Sequence, residues 1–112
     1  MATEARLATG LWVAAYLARL EAAFIPAYVT RRGDATAGAV VIKAARLDGT
    51  ATAHVRRYDF ATDTRRWEVL TEGPEAKVDA ILTRETRADP DLWLIEIESR
   101  EGRTLLEEEG LG

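Results

Sequence analysis

The chain contains no cysteine, one histidine and one methionine, only three prolines, and two lysines against thirteen arginines. Without cysteine there are no disulfides, no thiolate nucleophile and no thiolate zinc site, a composition that fits a reducing compartment. A single imidazole, His54, makes neither a histidine-based metal centre nor a Ser-His-Asp triad on its own, and its ordinary role is that of a half-exposed strand residue. No apolar run is long enough to span a bilayer. The run from Gly10 to Ala18, preceded only by Arg6 and opposed by Glu4, reads as a helix and not as a leader or an anchor. Neither a phosphate-binding glycine loop nor a calcium loop is present: Asp59 and Asp63 share one loop, but with the wrong spacing and no glycine between them.

What is present is an ordinary single domain. At 112 residues, 47% hydrophobic and 30% charged, the chain buries one core without a staple. The net charge of −4 conceals a division: residues 30–71 hold eight basic and five acidic residues, whereas residues 72–112 hold five basic and twelve acidic.

The clearest element is the stretch Asp89-Pro90-Asp91-Leu92-Trp93-Leu94-Ile95-Glu96-Ile97-Glu98. Pro90 stops whatever helix precedes it, and a strand with Trp93, Ile95 and Ile97 on a buried face and Leu94, Glu96 and Glu98 on a wet face follows. Upstream, Val13, Tyr16, Leu17, Leu20 and Phe24 recur at helical spacing, which predicts a helix from Thr9 as N-cap to about Ala23. Ala27 to Arg32 reads as a strand that turns through Gly33-Asp34 to Gly38 and returns as a second strand, Ala39 to Leu47. Asp48-Gly49 predicts a two-residue hairpin turn. That register sets Lys43 against His54, Val41 against Arg56 and Ile42 against Val55. Arg66 to Thr71 reads as a short fourth strand. Gly73-Pro74-Glu75 then opens a second helix with Val78, Ile81 and Leu82 as its buried stripe. Residues 103–106 fit either a strand or a helical turn, and the ends, about 1–8 and 107–112, are expected to fray.

The expected fold class is therefore α+β in the chain order α-β-β-β-β-α-β: one largely antiparallel sheet of about five strands, both helices on one face, and the last strand added beside the first. The opposite face is left open, and the candidate binding residues lie there or in its loops: Arg31, Arg32, Lys43, His54, Arg56, Tyr58, Glu96 and Glu98. Catalytic residues, metal ligands and cofactors are expected to be absent. Asp89 with Asp91, and Glu96 with Glu98, are read as a helix stop and a solvated strand face, since a hard-metal site needs more oxygen ligands than one such pair offers.

Arg31-Arg32-Gly33-Asp34, Ala37-Gly38, Lys43, Leu47-Asp48-Gly49-Thr50, Asp89-Pro90-Asp91-Leu92-Trp93, Glu96-Ile97-Glu98 and Arg100-Glu101-Gly102-Arg103 together resemble short alphaproteobacterial proteins classed as domain of unknown function family 1491. The resemblance runs from about Trp12 to Leu106. It implies a bacterial, cytoplasmic protein and brings no catalytic residue, cofactor or substrate.

The leading reading is a non-catalytic interaction module that binds a protein partner, or itself as a homodimer, through the open sheet face. The second reading is a nucleic-acid-associated protein that uses the basic middle third, with Arg31, Arg32, Lys43, Arg56, Arg57, Arg65 and Arg66 to track phosphates. The third is a small enzyme or ligand binder that uses carboxylates and arginines. A membrane partner is not expected.

Overall fold

The computed structural model describes residues 8–59, 61–62, 64–108 and 110–111, with the backbone alone for 57–59 and 64. The elements follow the expected order: α1 (Thr9–Ala22), β1 (Ala27–Arg31), β2 (Val40–Ala45), β3 (Thr50–Asp59), β4 (Thr64–Pro74), α2 (Glu75–Ala88) and β5 (Trp93–Glu98). They form an α+β fold around one five-stranded sheet.

The sheet is mixed, with spatial order β1-β5-β2-β3-β4. β5 pairs antiparallel with β1, as the expected last-strand position required, but it also pairs in parallel with β2 along its whole length. It therefore lies between β1 and β2, which do not form the expected hairpin. The connection between those two strands is splayed, and its glycines serve close approach. A side chain at Gly33 would collide with the Asp91 carbonyl and reach within 2.6 Å of the Trp93 ring; one at Gly38 would meet the same carbonyl and come within 2.8 Å of the Asp34 carbonyl. The start of β5 is threaded there. The Asp34 N–H donates to the Asp91 carbonyl, and the Trp93 N–H donates to the Ala39 carbonyl (2.8 Å). The Trp93 indole N–H donates to the Asp34 carbonyl at 2.8 Å.

A second difference lies in the β2–β3 turn. The Arg46 N–H donates to the Thr50 carbonyl, so three residues, Leu47, Asp48 and Gly49, form the loop; Leu47 takes φ of 65° and Gly49 φ of 90°. Ile42 consequently faces His54 and Lys43 faces Ala53. One residue of slip moves a side chain to the other side of its sheet relative to its partner strand. Lys43 is thereby separated from His54 and Arg56.

The third correction concerns the layers, because the helices lie on opposite faces. On one, α1 residues Trp12, Val13, Tyr16 and Leu20 pack with Val40, Ile42, Ala44, Trp93, Ile95 and Ile97. On the other, Val78 and Leu82 of α2 cover Val41, Ala51, Ala53 and Val55. The near-continuous apolar run of β2 is what a strand buried on both faces needs, and all six of its residues are buried. The expected burial of Trp93, Ile95 and Ile97 holds.

Local details also differ. Thr9 is not the cap of α1: Ala8 holds that position, and the buried Thr9 hydroxyl donates to the Gly38 carbonyl at 2.8 Å. Phe24, expected in the buried stripe, adopts φ of 59° just past the helix and is 93% exposed, while Ile25 takes the inward position. β4 is longer than expected and runs directly into α2, whose first N–H, that of Glu75, donates to the Gly49 carbonyl. Residues 103–106 form neither strand nor helix. Leu105, Leu106 and Leu111 are buried in the α1-side core, within or next to the segment expected to fray.

Candidate functional site

On the α1 side of β3 the alternate residues Thr52, His54 and Arg56 point away from α2, and the facing residues of β4, Trp67 across from Arg56 and Val69 across from His54, share that side. α1 brings Trp12 to the same place. The Arg56 guanidinium lies 4.9 Å from the Trp12 ring centre and 5.7 Å from that of Trp67. Trp12 stacks on Tyr16 with centroids 4.9 Å apart and meets Trp67 at 5.5 Å. The Trp67 indole N–H donates to the Leu111 carbonyl at 3.0 Å, and the Tyr16 hydroxyl donates to the Thr104 carbonyl at 2.9 Å. Three elements, α1, β3 and β4, with the segment after β5, thus fix one basic and aromatic cluster.

The electrostatics of this cluster are unbalanced. Burial, and then the nearby Arg65 charge, push the Arg56 guanidinium down to about 10, so it remains a cation at neutral pH but an uncomfortable one. Among the described residues no carboxylate pairs with Arg56 or Arg65, and no acceptor takes an Arg56 hydrogen bond. The buried Trp12 indole N–H likewise has no acceptor among them. Two clefts flank the cluster and share Arg65. The smaller, about 150 Å³, is lined by Ala37, Gly38, Ala39, Arg56 and Arg65. The larger, about 390 Å³, is bounded by His54, Arg65, Arg66, Trp67, Leu106 and Glu107 among others. Burial, with the Arg46 charge, lowers the His54 imidazole and favours its neutral form.

On the opposite face Lys43 is caged. Its ammonium lies 2.7 Å from Glu75, 2.7 Å from Asp79 and 3.3 Å from Glu96, and its side chain is only 6% exposed. Burial opposes the charge, but hydrogen bonds to Asp79 and Glu75 and the Glu96 charge outweigh it and hold the ammonium well above the usual lysine range. These carboxylates satisfy Lys43 and pin α2 to β2 and β5, which makes it a structural cation.

The expected binding residues are therefore dispersed. His54 and Arg56 stand together on the α1 side, whereas Lys43, Glu96 and Glu98 stand on the α2 side, where Glu98 meets the Tyr28 hydroxyl at 3.5 Å. Arg31 ties the edge strand to the turn before β5 through the carbonyls of Pro90 (3.1 Å) and Leu92 (2.9 Å), and Arg32 lies 5.4 Å from the Trp93 ring centre. The Tyr58 side chain lies outside the described residues. The structure adds Trp12 and Trp67 to the site and brings to it Arg65, which the sequence offered only among the residues that could track phosphates. Arg65 and Trp67 carried a signal in the sequence, since they alternate along β4 with the parity that faces Arg56. Trp12 carried none, because its place depends on where α1 lies. Among the described residues no three potential metal-ligating side chains converge, and no helix is long and apolar enough to cross a membrane.

Comparison with known proteins gives a consistent result. The family described as "Protein of unknown function (DUF1491)" matches residues 7–107. A crystal structure of a DUF1491 family protein from Caulobacter crescentus is 41% identical, covers 92% of this chain and 97% of its own, and superposes with a TM-score of 0.83. An NMR structure of a DUF1491 family protein from the same organism gives 40% identity, coverage of 91% and 94%, and a TM-score of 0.79. A solution structure of a protein from A. tumefaciens is 32% identical, covers 85% and 87% of the two chains, and has a TM-score of 0.72. No curated protein matches the chain.

Proposed function

Since the chain belongs to the DUF1491 family, whose function is unknown, its role must be argued from its own surface, and we propose that it is a non-catalytic binding module of the bacterial cytoplasm that works through the α1-side face of β3 and β4. One observation carries this reading: a half-buried guanidinium, Arg56, is held against two indoles beside a second arginine and has no carboxylate partner among the described residues. A fold gains little from burying a cation that it leaves unpaired, whereas a partner that supplies negative charge gains from finding it already oriented. The face opposite, where Lys43 is neutralised by three acids, offers no such imbalance.

The two-fold dimer expected from the sequence would join basic and acidic regions of a single face. Arg56 and Glu96 lie on opposite sides of the sheet, so the partner we propose is a different, acidic molecule. Affinity purification of the tagged protein from nuclease-treated cells tests this. Partners captured by the wild type should be lost with Arg65→Glu and retained with Arg84→Glu on the exposed side of α2. Retention by both variants would place the working surface elsewhere.

A further inference from the structure

We propose that the cleft between Arg56, Arg65 and the backbone at Ala37–Ala39 is a binding site for a phosphate group, with the larger cleft on the other side of Arg65 receiving the organic part of a small phosphorylated ligand. This deepens the binding-module reading and rests on it.

Four observations lead there. The two guanidiniums are close enough to repel each other, and no described carboxylate neutralises either, so the described lining of the cleft carries two positive charges and no negative one. A carboxylate would balance one; a phosphate dianion balances both. The Arg56 guanidinium carbon lies 4.9 Å from the Trp12 ring centre and 5.7 Å from that of Trp67, which restricts where the fork can go, and its N–H donors have no described protein acceptor. A guanidinium held in that way presents paired donors to a tetrahedral oxyanion at little entropic cost. The cleft's volume, about 150 Å³, suits a phosphate group and little more, and its far wall includes Gly38, where no side chain intrudes. Finally, Arg65 lines both clefts, so a ligand anchored by phosphate at Arg56 and Arg65 continues into a space bounded by His54, Arg66, Trp67, Leu106 and Glu107, where Trp67 and Leu106 offer surface for a ring and the polar neighbours offer hydrogen bonds to hydroxyls.

The test is a titration of the full-length protein at constant ionic strength, followed through the indole N–H resonances of Trp12 and Trp67. The probes are inorganic phosphate, ribose 5-phosphate and, as the carboxylate control, acetate. Saturable shifts with both phosphates, tighter for ribose 5-phosphate, and a response to acetate at least about tenfold weaker are expected. Arg65→Gln should weaken phosphate binding at least about tenfold, as loss of one charge-assisted partner does. Arg56→Lys keeps a cation but loses the fork, and should weaken binding while melting temperature and far-ultraviolet dichroism report an intact fold. No saturable shift with either phosphate, or equal affinity in wild type and Arg65→Gln, would overturn the site. So would binding of a single-stranded oligothymidylate without any response to the two small phosphates, because the site would then be an extended backbone track. If the phosphates fail while Arg65→Glu still abolishes partner capture, the binding face stands and only the phosphate site falls.

Discussion

Lys43 shows how one residue changes its meaning with its surroundings. On an exposed face its replacement would shift stability by less than about 0.5 kcal/mol. Buried among Glu75, Asp79 and Glu96, it is the only described cation that holds these three carboxylates together. Lys43→Met is therefore expected to cost about 1–3 kcal/mol in denaturant melts, less than the breaking of a fully buried pair because the acids are 27–53% exposed. His54 gives a pH-dependent counterpart. Its folded pKa lies below the ordinary 6.5, so between those two values the unfolded chain binds a proton that the folded chain does not. Stability should be complete above pH 6.5 and fall as the pH drops from there toward the folded pKa. His54→Asn should flatten that part of the profile; an unchanged slope would mean that the imidazole titrates freely.

At the scale of elements, the end of α1 stores a cost that its sequence does not advertise. The helix closes through the Ile25 N–H, which donates to the Leu20 carbonyl at 2.9 Å, with Phe24 in the left-handed conformation that glycine usually fills, its ring in solvent. Phe24→Gly should raise stability by about 0.5–1 kcal/mol, read as a higher denaturation midpoint with unchanged slope. A loss instead would mean that the phenyl ring makes a contact in solution. β2 and β3 make a related point about turns. Asp48-Gly49 does mark the reversal, but Leu47 joins it in a left-handed conformation, and this one added residue exchanges the partners of every side chain along both strands.

For the molecule as a whole, the segment after β5 closes the core. Leu105, Leu106 and Leu111 join the α1-side cluster, the Trp67 indole donates to the Leu111 carbonyl, and Tyr16 donates to the Thr104 carbonyl, so this segment covers the part of the sheet that α1 does not reach. Leu111→Ala is expected to cost about 2–4 kcal/mol in thermal or denaturant unfolding and to loosen Trp67, which a shift of the indole fluorescence toward that of solvated tryptophan would report. A change below about 0.5 kcal/mol would make the segment a dispensable tail. The two sheet faces also differ in charge balance. The α2 side answers its buried lysine with three acids, whereas the α1 side leaves Arg56 and Arg65 unanswered among the described residues.

The sequence by itself determined the elements, because local rules act within a few residues. Pro90 and Pro74 mark the limits of α2, period-two alternation marks β5, and the run of apolar residues marks β2 as an inner strand. It also determined that Trp93 is buried, and its strand directions allowed the antiparallel pairing of β5 with β1. Tertiary structure decided the rest. Insertion of β5 between β1 and β2 depends on Gly33 and Gly38 yielding space to a strand more than fifty residues later in the chain, and a glycine that serves a turn reads the same as one that serves a close approach. The three-residue loop, and with it the choice of Arg56 over Lys43 as the unpaired cation, follows from how the turn packs under the start of α2, where the Glu75 N–H takes the Gly49 carbonyl. The placement of α1 and α2 on opposite faces follows in turn, since a β2 that is apolar on both parities requires cover on both sides, and only the packed molecule reveals which helix provides which.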